Sequence, residues 1–196
     1  MVEEISGGDV HALLKKFVQS RGGESGMVEC FWDQGPPEHL LEDLRREYHR
    51  LFSDTGPERI ALVESLYKPW TQDSDCTQPF ANETGHLMGD PAIHLLAVYE
   101  RCGLEVSEEY RGRPDHLAME LEFLSYLYRW GKDEAIARFL KDHLDWIPML
   151  KKRCQEVHPT LFYNSLLEVL SFFVETERRR LERVCHGEKE IHSEVG

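Results

Sequence analysis

A short polar segment in the middle of the chain combines residue types that often carry acid–base chemistry. It reads Pro114-Asp115-His116, and Glu120 follows four positions after the histidine. Residues four apart share a face of a helix, so Asp115, His116 and Glu120 can form one polar cluster at the start of a helix. Such a cluster could serve a helical hydrolase that uses a metal or a nucleotide, or it could bind a basic partner.

The histidines do not follow the spacing of known metal sites. There are ten of them, but the sequence has no His-Glu-x-x-His and only one Glu-x-x-His, at Glu83–His86, in a segment that contains glycine. A di-iron helical bundle needs two such pairs on facing helices. Helical metal phosphohydrolases use a His-Asp dipeptide, whereas this chain has Asp-His twice and His-Asp never. The spacing therefore predicts no metal site.

Motifs for nucleotide and nucleophilic chemistry are also missing from the sequence. It contains no Gly-x-x-x-x-Gly-Lys-Ser/Thr loop and no Gly-x-Ser-x-Gly elbow. An enzyme stays possible, but no motif in the sequence argues for one. The alternative that stays open is the helical hydrolase built on Asp115, His116 and Glu120.

The elements that must position these residues are helices. Helical spacing dominates, alternating strand patterns are not convincing, and we predict an all-α bundle. A helix over 114–130 would begin with Pro114 in its first turn and end at Gly131. Its predicted buried stripe consists of Leu117, Leu121, Leu124 and Tyr128.

The remaining helices are predicted from similar stripes and from proline and glycine positions. Asp90 as N-cap and Pro91 at the first position would start a helix that turns Ile93, Leu96 and Ala97 inward and ends at Gly103. Residues 53–89 hold several prolines and many polar residues, which predicts a long irregular segment. Further helices are expected over 9–20, from Pro36 or Pro37 to about 52, from Asp133, from Ile147 to about 157, and after Pro159.

We predict a single all-helical domain made of two packed lobes. The N-terminal lobe would take about residues 1–103, and the C-terminal lobe would take 114–184. The acidic linker 104–113 contains Gly112 and could be a hinge between them. Residues 185–196 are polar and are predicted to form a frayed tail. A hinge at this place would allow a monomer or a dimer in which two chains exchange lobes.

Bulk composition excludes several classes of function. The net charge of −13 disfavours nucleic acid and anionic membranes as partners and favours basic ones. No apolar run approaches the ~20 residues of a membrane span, and the acidic start is unlike a signal peptide, so we expect a cytoplasmic protein. The five cysteines are scattered and odd in number, which indicates neither a disulfide framework nor a zinc site.

The Pro-Asp-His segment resembles that of the TorD/DmsD family of redox-enzyme maturation chaperones, in which (Pro)-Asp-His-Leu/Phe opens a long helix near mid-chain. Other pieces match the family in the same order, and together they cover about residues 45–175. They are Tyr48-His49-Arg50-Leu51-Phe52, Glu64-Ser65-Leu66-Tyr67, Leu87-Met88-Gly89-Asp90-Pro91, His143-Leu144 with Trp146 and Pro148, and Phe162-Tyr163.

The resemblance implies a peptide-binding site. Its members would be Tyr67, Gly89, Tyr110, Asp115, His116 and Glu120, and further contacts would come from Glu64, Leu66, Trp70 and Phe80. The implied function is a chaperone that binds the twin-arginine leader and the apo form of a molybdopterin-containing oxidoreductase subunit before export or assembly. The resemblance therefore also implies a protein that is not an enzyme, with no catalytic residue and no cofactor of its own. An alternative within the same family is an assembly chaperone for a reductase that is not exported, in the manner of NarJ.

Overall fold

The computed structural model describes residues 8–24, 26–29 and 37–193. Within these residues all regular elements are helical, apart from an antiparallel bridge between Val63 and His116. The all-α prediction is confirmed. The helices are α1 (Gly8–Ser20), α2 (Gly26–Glu29), α3 (Pro37–Phe52), α4 (Asp90–Arg101), α5 (Leu117–Trp130), α6 (Asp133–His143), α7 (Ile147–Glu156) and α8 (Leu161–Ser193), with short 3-10 turns at Glu64–Leu66 and Glu108–Tyr110.

The chain divides into two compact units, each assembled from separate stretches of sequence. The first unit takes the residues up to Ile60 and Leu150–Arg180, and the second takes Ala61–Met149 and the chain from Leu181. Residues 104–113 lie inside the second unit. The role of this linker as a hinge between lobes stays a prediction. Helix α8 continues to Ser193, where the sequence predicts a frayed tail from Cys185.

The first unit is held by aromatic packing between sequence-distant helices. Phe17 of α1 packs against Phe172 and Phe173 of α8, with ring centroids 6.4 and 5.7 Å apart. The hydroxyl of Tyr163 donates a 2.9 Å hydrogen bond to the carbonyl oxygen of Leu44 on α3. A phenol that is buried with its O–H satisfied contributes apolar area without leaving a polar group unpaired.

In helix α5 of the second unit, the predicted buried stripe is partly wrong. Tyr128 is 41% exposed and Leu121 is half-buried. The buried face differs from the predicted one because it includes Glu120. A search for apolar residues at helical spacing does not detect a buried carboxyl. The buried residues of α5 are Leu117, Glu120, Phe123, Leu124 and Leu127.

Helix α4 also turns a different face inward from the one predicted. Ile93 is 54% exposed and Ala97 is exposed, whereas Ala92, Leu95 and Tyr99 are buried. Apolar residues surround most of this helix, so spacing did not select one face. Its end matches expectation: Gly103 has a φ of +69°, and the N–H groups of Gly103 and Leu104 bond the last turn.

The segment 53–89 is irregular, as predicted, and backbone hydrogen bonds fold it back on itself. The N–H of Trp70 donates to the carbonyl oxygen of Glu83 at 2.9 Å, and that of Thr71 donates to Ala81 at 2.9 Å. The N–H of Asp90 then donates to Trp70 at 2.7 Å. These bonds fix the entry to α4.

No helix within the described residues combines the length and the apolar character of a membrane span.

Candidate functional site

Two segments far apart in sequence meet at the bridge between Val63 and His116. The N–H of Glu64 donates to the carbonyl oxygen of Asp115 at 3.0 Å, and the N–H of Leu117 donates to that of Leu62 at 2.8 Å. This short antiparallel pairing sets the Glu64–Leu66 turn directly against the residues that precede α5. Two of the predicted site segments are thereby brought together.

Asp115 lies in the interior and is bonded to the turn rather than to the helix. Its Oδ2 accepts a 2.7 Å hydrogen bond from the N–H of Ser65 and another from the Ser65 hydroxyl. Burial raises the pKa of Asp115, although the two Ser65 bonds oppose the shift. Helix α5 begins at Leu117, not at Pro114 as predicted. The cap is His116, whose Nδ1 accepts from the N–H of Ala118 at 3.1 Å.

Glu64 has no exposed surface and gathers two basic groups. Its Oε1 lies 2.6 Å from the Lys68 Nζ, and its Oε2 lies 2.9 Å from the His143 Nδ1. Lys68 also reaches the Asp145 carboxylate at 2.5 Å and the Asp142 carbonyl oxygen at 2.8 Å. Burial alone lowers the pKa of Lys68, but the two carboxylates outweigh it and raise the pKa above its ordinary value.

A chain of hydrogen bonds leads from Glu64 to the surface through two imidazoles. His143 Nε2 is 2.7 Å from His94 Nδ1, and the two rings stack with centroids 4.9 Å apart. In the neutral tautomer that carries its proton on Nδ1, His143 donates to Glu64 and its Nε2 accepts from His94 Nδ1–H. Burial and the neighbouring His143 lower the pKa of His94.

Glu120 is fully buried and shares its environment with Glu64. Its Oε2 accepts a 3.1 Å hydrogen bond from the Trp146 indole N–H. Burial raises the pKa of Glu120 well above its ordinary range, and the charge of Glu64 and a hydrogen bond to it raise it further. Its Oε1 has no donor among the described residues. Burial and the charge of Glu64 both favour the neutral, protonated form of this carboxyl.

These residues form a buried polar cluster, which we define as Glu64, Ser65, Lys68, Asp115, Glu120, His143 and Trp146. Three of the residues predicted for the site, Glu64, Asp115 and Glu120, belong to it. Tyr67 borders it through its ring, which stacks on Trp146 with centroids 5.1 Å apart. Leu66, beside Tyr67, is half-buried.

The other predicted site residues lie in two further groups. The rings of Tyr110 and His116 are in contact, with centroids 4.9 Å apart, and both side chains are half-buried. Trp70 and Phe80 pack edge to face at 5.0 Å in the irregular segment. The sequence pattern thus names residues from three places in the second unit rather than one continuous site.

Gly89 has a structural reason to be glycine. It caps α4, and a Cβ on it would lie 2.6 Å from the backbone oxygen of Trp70. Real Cβ atoms do not approach oxygen so closely, so the neighbouring backbone would have to move. The following residue, Asp90, accepts hydrogen bonds from the Thr71 hydroxyl and the Gln72 N–H at 2.8 and 2.9 Å. Gly89 and Asp90 therefore fasten the irregular segment to the helix.

Sequence reasoning did not include Lys68, His143 or Trp146 in the site. His143 and Trp146 stood in the family-like pattern, but nothing local linked them to Glu64, which is 79 positions before His143. Lys68 carried a usable signal, because a basic residue four positions after an acidic one forms an ion pair when the chain turns helically.

The acid–base groups of the buried polar cluster form their hydrogen bonds and ion pairs within the protein. Glu64, Asp115 and Glu120 have no exposed surface with which to touch a substrate. Within the described residues, no three His, Cys, Asp or Glu side chains are grouped so that they could hold a metal ion. The cluster is built to fix the positions of three chain segments.

Two surface clefts in the second unit are open to a partner. The larger, about 640 Å³, lies between residues 104–110 and α5 and includes Tyr110. The other, about 510 Å³, lies beside α4 and α6 and has His94 and His143 in its wall. We call them the aromatic cleft and the histidine cleft.

Comparison with known proteins identifies the family. The nitrate reductase delta subunit family matches residues 9–156, which include both the buried polar cluster and the aromatic cleft. The chain belongs to this family. No solved structure matches the sequence significantly.

Relatives of this delta subunit family member are named as chaperones. The chlorate reductase assembly chaperone protein of Ideonella dechloratans is 35% identical over 172 residues, covering 81% of this chain and 77% of its own length. The selenate reductase assembly chaperone protein of Thauera selenatis is 35% identical over 100 residues, covering 44% and 51%. The chaperone protein TorD of Vibrio cholerae is 25% identical over 161 residues, covering 74% and 71%. The resemblance to the TorD family is confirmed.

Proposed function

We propose that this chain is a maturation chaperone that binds the leader peptide and the apo form of a molybdopterin-containing oxidoreductase subunit. The observation that carries the proposal is the family match over residues 9–156, together with relatives named as assembly chaperones of chlorate and selenate reductases. Such a chaperone binds a polypeptide and releases it, and it carries out no chemical step of its own.

The geometry favours a binding protein over the helical hydrolase. A general acid or base must reach the reacting group at hydrogen-bond distance. Asp115 and Glu120 are fully buried, and His116 uses Nδ1 to cap its own helix. The three residues on which hydrolysis would depend therefore hold the fold together.

The chemistry of a twin-arginine leader matches this chain. Such a leader joins two arginines to an apolar stretch, so its receptor needs carboxylates beside an apolar groove. A net charge of −13 attracts a basic peptide from a distance and speeds the encounter at low salt. Tyr110 and His116 reach the surface, and we assign them direct contact with the peptide, whereas the buried carboxyls hold their supports in place.

The proposal extends to the location, the oligomeric state and the client of the protein. We infer a cytoplasmic chaperone, monomeric or exchanging lobes between two chains, whose client is the catalytic subunit of a molybdenum reductase. If the client is not exported, the same surface would bind its N-terminal segment during assembly. The presence of a twin-arginine leader in the reductase encoded beside this chain decides between the two.

Calorimetry with the full chain tests the proposal. The titrants are a synthetic leader peptide, with paired arginines followed by an apolar stretch, and the same peptide with both arginines replaced by glutamine. We expect saturable binding of the first peptide and weaker binding of the second, because charge-assisted hydrogen bonds are lost.

A second arm tests the hydrolase. The chain is incubated with phosphate esters and nucleotides, with and without divalent metals. We expect no turnover above the background of an Asp115→Asn variant. Turnover that this variant abolishes, together with no binding of leader or apo subunit, would replace the chaperone by an enzyme.

A further inference from the structure

We propose that the aromatic cleft is the groove in which the leader docks, with its apolar stretch on the rings of α5 and its paired arginines on Glu105 and Glu122. This inference rests on the proposed function and assigns it a surface. Only Tyr110 among the residues predicted from the sequence lines this cleft.

One face of α5 supplies most of the cleft. Met119, Phe123, Tyr126 and Trp130 line it at positions that recur three or four residues apart. Trp130 is 76% exposed, the largest value among the exposed bulky apolar side chains of the described residues. Aromatic side chains of this kind are the ones that dominate binding energy when a partner covers them.

The dimensions and polarity of the cleft fit part of an apolar helix or strand. A volume of about 640 Å³ accommodates a few large side chains. Tyr110 and Tyr126 carry hydroxyls for which the described residues provide no hydrogen-bond partner. Such hydroxyls can bond the backbone of a bound peptide while the rings pack against its side chains.

The carboxylates in this cleft are available to a partner. Glu105 and Glu122 are exposed, and within the described residues neither forms a hydrogen bond or an ion pair. Glu64 and Asp145, by contrast, are both paired with Lys68. Two carboxylates beside an apolar floor are what an arginine pair followed by an apolar stretch requires.

The direction of the bound leader follows from Arg129. This residue also lines the cleft, seven positions after Glu122, which is about 10 Å along the helix. It repels the arginines of the leader, which therefore lie at the Glu122 end. The apolar stretch then runs toward Trp130 at the end of α5.

The histidine cleft is the less suitable surface for this peptide. Its wall holds three cations, Arg101, Lys132 and Arg138, against two carboxylates, Glu134 and Asp142. Like charges opposed across an interface reduce affinity. Glu134 is also exposed, so it provides a control carboxylate in the competing cleft.

The test measures leader binding by calorimetry at low ionic strength. We expect the double variant Glu105→Gln/Glu122→Gln to bind about tenfold more weakly and Trp130→Ala at least about tenfold more weakly. The controls Glu134→Gln and Tyr128→Ala, the latter on another face of the same helix, should bind like wild type. Urea midpoints of the glutamine variants and of Trp130→Ala should stay within error of wild type, since these side chains are exposed.

A charge exchange sharpens the test. We expect a leader with both arginines replaced by glutamate to regain affinity, at least about threefold, when presented to Glu105→Arg/Glu122→Arg. If wild type binds the leader and the cleft variants bind it equally well, or if only Glu134→Gln weakens binding, the groove assignment is overturned and the chaperone function stands. If wild type does not bind the leader at all, both the proposed leader recognition and the groove assignment are refuted.

Discussion

Two tryptophans mark two opposite uses of polar and aromatic residues within the second unit. Trp146 has no exposed surface, donates to Glu120 and stacks on Tyr67, whereas Trp130 is 76% exposed at the rim of the aromatic cleft. The carboxyls around the first are bonded to groups of the same chain, whereas Glu105 and Glu122 in the cleft of the second form no such bond within the described residues. Residues that stabilise the fold are therefore distinct from those that we propose for recognition, so the two properties can be changed separately.

Removal of the buried indole should have the largest effect on stability. Trp146→Ala leaves a cavity, and it strands Glu120 without its N–H donor. We expect a loss of about 3–5 kcal/mol in the free energy of unfolding, measured by urea titration. A loss under about 1 kcal/mol would mean that Trp146 does not anchor the buried polar cluster.

A glycine pair tests how tightly the irregular segment is fastened. Gly89→Ala should cost about 1–3 kcal/mol, because the new Cβ meets the backbone oxygen of Trp70. Gly112→Ala is the control, since a Cβ there meets no atom within 4 Å. We expect it to leave the urea midpoint unchanged or slightly raised. Equal effects at both positions would show that the backbone at Trp70 moves to accommodate the new Cβ.

Glu120→Gln tests the shared proton of the cluster through pH. A carboxyl whose pKa is raised on folding stabilises the protein fully below its ordinary pKa, near 4.5, and the stabilisation is lost as pH rises through the folded value. Glutamine keeps the shape and does not titrate. As pH rises above 4.5, the wild type should therefore lose stability that the variant keeps. The free energy of unfolding of the variant should rise relative to that of wild type.

Urea midpoints of both proteins across this range provide the measurement. A difference that is constant with pH would mean that Glu120 is ionised in the fold. Glu122→Gln, on the exposed face of the same helix, serves as the control and should show no such trend.

The smallest effect on stability is expected at the cleft. Trp130→Ala should change the free energy of unfolding by less than about 0.5 kcal/mol, because the indole is largely in water already. Thermal and urea unfolding beside wild type provide the measurement. A loss comparable to that of Trp146→Ala would remove the distinction between the two regions.

The helices were predictable from sequence because their boundaries are set locally. Proline at 37, glycine at 103 and 131, and acid-rich first turns placed most helix ends within a few residues. The buried faces were less predictable. Glu120 can face inward because it interacts there with Trp146 and Glu64, which are both distant in sequence. Local spacing cannot register a partner that arrives from another element.

The site divides in the same way. A motif indicated Asp115 and Glu64 as important, but it could not distinguish a residue that contacts a partner from one that positions its neighbours. That distinction depends on burial, which follows from the bridge between Val63 and His116. Tyr126 and Trp130 form no motif, and only the folded face of α5 brings them together with Tyr110.

The hydrogen bond between Glu64 and His143 has a consequence for the order in which the protein forms on the ribosome. The carboxyl of Glu64 is synthesised 79 residues before the imidazole that pairs with it. Burial of Glu64 without His143, or of Glu120 without Trp146, would deprive the carboxyl of a hydrogen-bond partner, so we expect these segments to stay hydrated while the chain grows. We therefore expect the pairing of Glu64 and Glu120 to form only after α6 and the turn that follows it have left the exit tunnel. A nascent fragment that ends before residue 143 should accordingly not yet hold a client.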